Sequence, residues 1–259
     1  MQTRTNGSGA HGGEDKQVDK YALSIETANG SCWRTLQWYV KRTQADVLCL
    51  QEHRISDPKK IAAASRWCRN NGWKSVWSTA NPSDAGGEAS GGTAILCRAK
   101  HLGLAPAEDL LEPTARTVGA KLDFPGGRRL LVVAAYLQCT IGSKDQNLKV
   151  LESIAEAKRA WKGPMVAGGD FNDIPASMIA AGVQESMSVK VVAPDTALGT
   201  CRTAKSARTI DYFLVSNDIA CGIENVATKP SLRLAPHTPV RLDFLPNLTS
   251  LCKLQLQKP

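Results

Sequence analysis

Short apolar runs recur along this chain, too short to be helices, and four of them are opened or closed by a polar cluster. Gln51-Glu52 follows Ala45 to Leu50, and Gly169-Asp170-Phe171-Asn172 follows Pro164 to Ala167. Ile210-Asp211-Tyr212 opens a run through Val215, and His237 precedes the run from Thr238 to Leu242. Runs of this length read as strands, and unbroken apolarity means burial on both faces. Such a chain must stack strands and helices in layers, and it presents its chemistry where strands end.

The helical segments alternate with these strands. Tyr21 to Thr27 is a strand candidate ended by Asn29-Gly30, after which Ser31 is placed to cap a helix bearing Trp33, Leu36 and Val40. Asp46 to Leu50, a helix over Ile61 to Arg69 and a strand over Trp73 to Ser78 continue the rhythm. Thr93 to Cys97 follows a glycine-rich loop. Arg116 to Phe124 and Arg129 to Leu137 then flank Pro125-Gly126-Gly127, a hairpin signal. Val150, Ile154, Ala157 and Trp161 mark one face of a helix between about Ser143 and Trp161. A short helix near Ala176 to Ala181 and strands at Ser188 to Val192, Ile210 to Ser216 and Thr238 to Phe244 complete the set. Two rounds of mixed elements fit two sheets packed face to face with helices outside.

At 259 residues and 42% apolar content the chain can build one large core. Residues 1–20 lack large apolar side chains and read as a disordered tail; 21–246 read as the domain and 247–259 as a second tail. The net charge of +8 favours a polyanionic partner. The longest apolar stretch, Leu130 to Leu137, is too short to span a bilayer, and the N-terminus lacks the apolar core of a secretion signal. The expectation is a soluble monomer inside the cell, the nucleus included. Eight widely separated cysteines show no C-x-x-C pair, so reduced thiols and no structural zinc are expected.

Each cluster has its own chemical potential. Glu52 ends a strand with almost no polar residue in it and can offer carboxylate oxygens to a cation. In Gly168-Gly169-Asp170-Phe171-Asn172 the paired glycines suit a tight turn, and Asp170 and Asn172, two apart, can orient a water near a bound cation. Asp211 lies in the run Ile210 to Val215, where a carboxylate is costly unless paired; His237 can be its partner. Tyr136 can offer its phenol to a phosphate oxygen, and Asn29 reads first as a turn residue. The loop Gly86 to Thr93 approaches a P-loop but has no lysine before Thr93 and opens no helix, so nucleotide binding is excluded.

In order, Asn29, Leu48-Cys-Leu-Gln-Glu52, Gly91-Gly-Thr-Ala-Ile-Leu96, Tyr136, Gly169-Asp-Phe-Asn172, Ile210 to Ser216 and His237-Thr-Pro-Val240 resemble the endonuclease/exonuclease/phosphatase superfamily. The run Thr209-Ile-Asp-Tyr-Phe-Leu-Val-Ser216 looks most like the endonuclease domain of non-LTR retrotransposons. The resemblance implies a four-layer α/β/β/α sandwich of two mixed sheets and a magnesium-dependent cut of a phosphodiester, with manganese able to substitute and DNA as the first candidate partner. By the same resemblance Glu52 would bind the metal and Asn29 would help shape its site. Asp170 with Asn172 would position the attacking water, and Tyr136 and His237 would bind the phosphate, with Asp211 orienting His237. The chain departs from the family at Pro236, where an acidic residue usually precedes the histidine. Two other readings stay open: a phosphatase acting on a small phosphorylated molecule or lipid headgroup, and a non-catalytic copy that binds nucleic acid.

Overall fold

In the computed structural model, which describes residues 22–83, 87–98, 102–125, 127–139 and 144–245, the apolar runs are strands covered on both sides. The first half comprises β1 (Leu23–Asn29), α1 (Trp33–Val40), β2 (Val47–Gln51), α2 (Pro58–Asn70), β3 (Trp73–Trp77), β4 (Thr93–Arg98) and β5 (Gly103–Pro106). Then follow β6 (Thr117–Asp123), β7 (Arg129–Tyr136), α3 (Lys144–Trp161) and β8 (Met165–Asp170). The remainder is α4 (Pro175–Ala180), α5 (Val183–Met187), β9 (Val189–Val192), β10 (Cys201–Arg202), β11 (Ala207–Arg208), β12 (Asp211–Ser216), β13 (Ile223–Thr228) and β14 (Val240–Phe244).

Two mixed six-stranded sheets result, in the orders β13-β14-β1-β2-β4-β3 and β5-β6-β7-β8-β12-β9, with β10 and β11 as a separate small hairpin. Successive side chains on a strand point to opposite faces, so β7 divides cleanly. Leu130, Val132 and Ala134 enter the core between the sheets, while Leu131, Val133 and Ala135 pack with Ile154 and Ala157 of α3. β2 does the same, with Val47 and Cys49 inward and Leu48 and Leu50 against Leu36 and Tyr39 of α1 and Cys68 of α2. Two helical layers thus cover two sheets, which is the four-layer α/β sandwich expected from the sequence.

The polar residues of β1 find partners. Ser24 bonds Asp46, Thr27 bonds Gln51, and the buried Glu26 carboxylate accepts from the hydroxyls of Tyr39 and Thr43, with Arg241 at 3.6 Å. Glu26 is a structural carboxylate on the face turned to α1.

Several expectations need correction. Gly168 and Gly169 do not make a turn; both lie within β8. A Cβ at Gly169 would stand 2.4 Å from the Ala135 carbonyl oxygen, and one at Gly168 would stand 2.8 Å from the Phe213 ring. Glycine is required there by close packing. The cysteines are not all free thiols: Cys221 is disulfide-bonded. The cap of α1 is Cys32, not Ser31, and it makes no side-chain capping bond. Strands β5 and β13, the β10–β11 hairpin and α5 add to the expected elements; most are short or half-exposed and leave little hydrophobic pattern. The tails assigned to 1–20 and 247–259 lie outside the described residues, as do Gly86, Gly126 and Ser143. No described helix is long and apolar enough to cross a membrane.

Candidate functional site

The inward-facing positions that build the core also build the site. Along β1 the inward set is Leu23, Ile25, Thr27 and then Asn29; along β7 it ends in Tyr136, along β8 in Asp170, and β12 begins with Asp211 on the same side as Phe213 and Val215. Strand register then brings these ends together. Asp211 pairs with Asp170 across antiparallel β12 and β8, and Tyr136 pairs with Asp170 across parallel β7 and β8. The two sheets meet through a hydrogen bond, with Asn29 Nδ2 donating to Asp170 Oδ2 at 2.9 Å.

Asp170 is fixed from several sides. It is buried, accepts the Asn172 backbone N–H at 3.1 Å on Oδ1, and has His237 Nε2 at 3.7 Å. Burial first, then the Asp211 charge, push its carboxyl up to about 7, against His237, Asn29 and the Asn172 N–H. Asn172 adopts the left-handed φ of 51°, and its side-chain amide donates to the Leu137 carbonyl at 2.7 Å, pinning the turn after β8 to the end of β7. Asn29 is similarly engaged: its amide oxygen accepts the Ser31 N–H at 2.9 Å.

His237 sits before β14, and its Nδ1 donates to both Asp211 oxygens at 3.1 Å. Burial works against its charge, but the Asp211 carboxylate, with lesser help from Cys201 and Asp170, raises it to about 11. Its backbone is held by reciprocal bonds with Leu234, while Pro236 accepts the Arg202 N–H through its carbonyl and Thr238 donates to Thr200. Pro236 therefore leaves the imidazole in place beside its carboxylate. Thr200, fully buried, accepts the N–H groups of Ile210 and Asp211 on its hydroxyl and so sets the start of β12.

Glu52 lies just past β2 with φ 56°, and Arg54 repeats that left-handed conformation at φ 56°. Between them the buried His53 donates its backbone N–H to Gly92 and packs so tightly there that a Cβ at Gly92 would stand 2.4 Å from its ring. The strained turn delivers the Glu52 carboxylate, 14% exposed, to the same end as Asp170, with Arg54 at 3.3 Å. Tyr136 links the two: burial, then the Glu52 carboxylate and its hydrogen bond, then Asp170, hold its phenol well above the usual range.

All seven residues singled out from the sequence thus stand at one end of the two sheets. Two arginines join them that the sequence did not mark. The Arg116 guanidinium lies over the Tyr136 ring at 4.8 Å from its centroid, and Arg54 bridges Glu52 and Glu88. Each keeps a buried Nε with no hydrogen-bond partner. Arg116 was legible only through register, because it precedes β6 and bonds Tyr136 through its backbone carbonyl at 2.8 Å.

Ligand atoms of Asp170, Asp211 and His237 lie within 4.8 Å of one another. Both oxygens of Asp211 and of Asp170 and the His237 Nδ1 already have hydrogen-bond partners, and of the three carboxylates Glu52 is the one that keeps solvent exposure, so a hard cation would meet the Glu52 carboxylate first, beside Asp170. A buried carboxylate cluster beside a carboxylate-held imidazole can activate water and stabilise developing negative charge.

Solved structures share this fold. The AP endonuclease LMAP from Leishmania major superposes with a TM-score of 0.67 at 16% identity, covering 86% of this chain and 88% of its own. The 3'-5' exonuclease NExo from Neisseria meningitidis gives 0.64 at 19% identity, covering 86% and 99%. The endonuclease domain of TRAS1, a telomere-specific non-LTR retrotransposon, gives 0.63 at 15%, covering 86% and 98%. No curated protein matches in sequence. The sequence pattern of one family does match, over residues 36–222. That span is well over half of the chain and takes in the strands that carry Glu52, Tyr136, Asp170 and Asp211, so the chain belongs to the Endonuclease/Exonuclease/phosphatase family.

Proposed function

We propose that the protein is a divalent-cation-dependent phosphodiesterase that cuts nucleic acid, DNA in the first place, by directed attack of water. The observation that carries this reading is the junction of the two sheets. Asn29 of one sheet holds Asp170 of the other, with Asp211–His237 on one side and Tyr136 and Glu52 on the other. Glu52 would hold the cation, magnesium or in its place manganese, at a site that Asn29 helps to shape through Asp170. When bound, the cation supplies neutralisation of charge on the phosphate.

This chain's own residues do the rest. Asp170, fixed by Asn29 and the Asn172 N–H, orients a water and accepts its proton as the water oxygen bonds to phosphorus and the ester oxygen leaves. His237, kept protonated by Asp211, and Tyr136 donate to the phosphate oxygens. The likeness of Thr209 to Ser216 to retrotransposon endonucleases, and the TRAS1 domain among the structural neighbours, support a retrotransposon-type enzyme.

The test is nicking of supercoiled plasmid in magnesium. The wild-type protein should nick, EDTA should abolish nicking, and Glu52→Gln and Asp170→Asn should each lower the rate by about a hundredfold or more. Equal nicking by all three proteins would overturn the reading. An oligonucleotide ending in a 3'-phosphate, run in parallel, separates phosphate release from strand cutting; the NExo structure bound to a product DNA hairpin carries the name 3' phosphatase.

A further inference from the structure

The outer helical layer of the first sheet concentrates the chain's positive charge far more than the rest of the molecule does. Trp33 to Arg42 contains Arg34, Lys41 and Arg42 and no acidic residue. Helix α2 contains Lys59, Lys60, Arg66 and Arg69, again with no acidic residue. All seven cations are exposed. They account for nearly the whole net charge of +8; the remaining residues are close to neutral in sum. The nearest acidic residues along the chain are occupied, Asp57 by capping the Lys59 N–H and Asp46 by Ser24.

The two helices are neighbours on this face. Trp33 meets Trp67 edge-on at 5.5 Å, and Lys41 lies over the Trp67 ring at 5.7 Å. Trp38 stands out from α1 at 40% exposure with the Arg42 guanidinium stacked at 4.5 Å. An exposed ring with a cation on it, set among cations that form no ion pair among the described residues, is the makeup of a base-stacking and phosphate-binding surface. Both helices start near the site, just after Asn29 and Glu52, and run away from it, α2 for about 20 Å at 1.5 Å per residue.

We propose that the α1–α2 face is a second nucleic-acid surface, which binds a single strand by its phosphates and stacks a base on Trp38. It goes beyond the cleavage reading and does not require it. The same cations would attract an anionic membrane, but insertion needs several exposed apolar side chains, and Trp38 is the single large exposed hydrophobic on either helix. The charge pattern therefore favours a nucleic-acid strand.

The experiment is fluorescence anisotropy of a labelled oligothymidine of about 20 nucleotides, in EDTA so that nothing is cut. The full chain should bind with a log–log salt slope of about −3, the value for about four phosphate contacts on a single strand. The variant Lys41→Gln, Arg42→Gln, Arg66→Gln, Arg69→Gln should lose about thirtyfold in affinity and most of that slope. A matched variant elsewhere, Arg128→Gln, Arg129→Gln, Arg159→Gln, Lys190→Gln, should lose less than about threefold. Trp38→Ala should cost about tenfold, and Trp38→Phe should restore most of it. The two Trp38 variants keep the test decisive if the fourfold variant proves unstable.

No binding by the wild-type chain, or equal losses in the two fourfold variants, would overturn the proposal. So would binding to phosphatidylserine vesicles without binding to the oligonucleotide. Nicking in magnesium reads the cleavage proposal and anisotropy in EDTA reads this one, so failure of the one and failure of the other are seen in separate assays.

Discussion

Asp211 directs both carboxylate oxygens at one ring nitrogen of His237, and that arrangement decides the charge of the imidazole. Replacing it by Asn keeps the shape and removes the charge. Asp211→Asn should bring the His237 pKa, now about 11, down by more than one unit, read by NMR of the ring in EDTA. The same variant should slow plasmid nicking by about 10²- to 10⁴-fold, as loss of a histidine-orienting carboxylate does elsewhere. A His237 that still titrates near its wild-type value would show that Asp211 is not what holds its proton. Gly169 makes a second point at this scale. Gly169→Ala forces a Cβ to 2.4 Å from the Ala135 carbonyl oxygen, so urea denaturation should show a loss of about 1–3 kcal/mol. From sequence, Gly168-Gly169 looked like turn residues, because a glycine needed for close packing and one needed for a turn are the same letter.

At the scale of elements, the turn between β2 and α2 joins the site to the fold through His53. Its Nδ1 accepts the Ile55 N–H at 3.0 Å and its Nε2 faces the Ser78 carbonyl at 3.1 Å, an arrangement for the neutral ring. Burial depresses its pKa to about 4. The unfolded chain takes up the proton near the ordinary value of about 6.5. Between these values the unfolded state binds a proton that the folded state does not, so this contribution is full above about pH 6.5 and is lost as pH falls towards 4. Up to about 3 kcal/mol should disappear across that window. His53→Gln should flatten that part of the urea midpoint against pH, measured in EDTA; an unchanged slope would move the effect to other groups. Most strands and the three main helices were readable as elements, because burial on both faces makes their apolar runs continuous. The β10–β11 hairpin and the half-exposed β13 were not readable, since short or solvent-facing strands leave little hydrophobic pattern.

Across the whole molecule, closure of the sandwich sets the reactivity of the thiols. Cys49, Cys68 and Cys97 are buried, and burial pushes each thiol up to about 12, whereas Cys139 is exposed. Iodoacetamide near pH 8, followed by peptide mapping, should label Cys139 and spare those three until urea opens the sheets. Equal labelling of Cys49 in the native protein would mean that the sandwich opens readily.

The sequence by itself determined the layer architecture and the family resemblance, and it singled out seven candidate site residues that the fold gathers at one end of the sheets, because alternation along a strand and polar ends on apolar runs are local properties. What it left undecided is relational. That Asn29 reaches across the sheets to Asp170, that Arg116 lies on Tyr136 and that Thr200 sets the start of β12 depend on register and sheet-to-sheet packing. Those contacts join residues from 10 to 141 positions apart, and no local pattern encodes which strand end will face which. The tertiary structure alone decided them, because the common inward face of the two sheets must close on one core before its polar ends can meet.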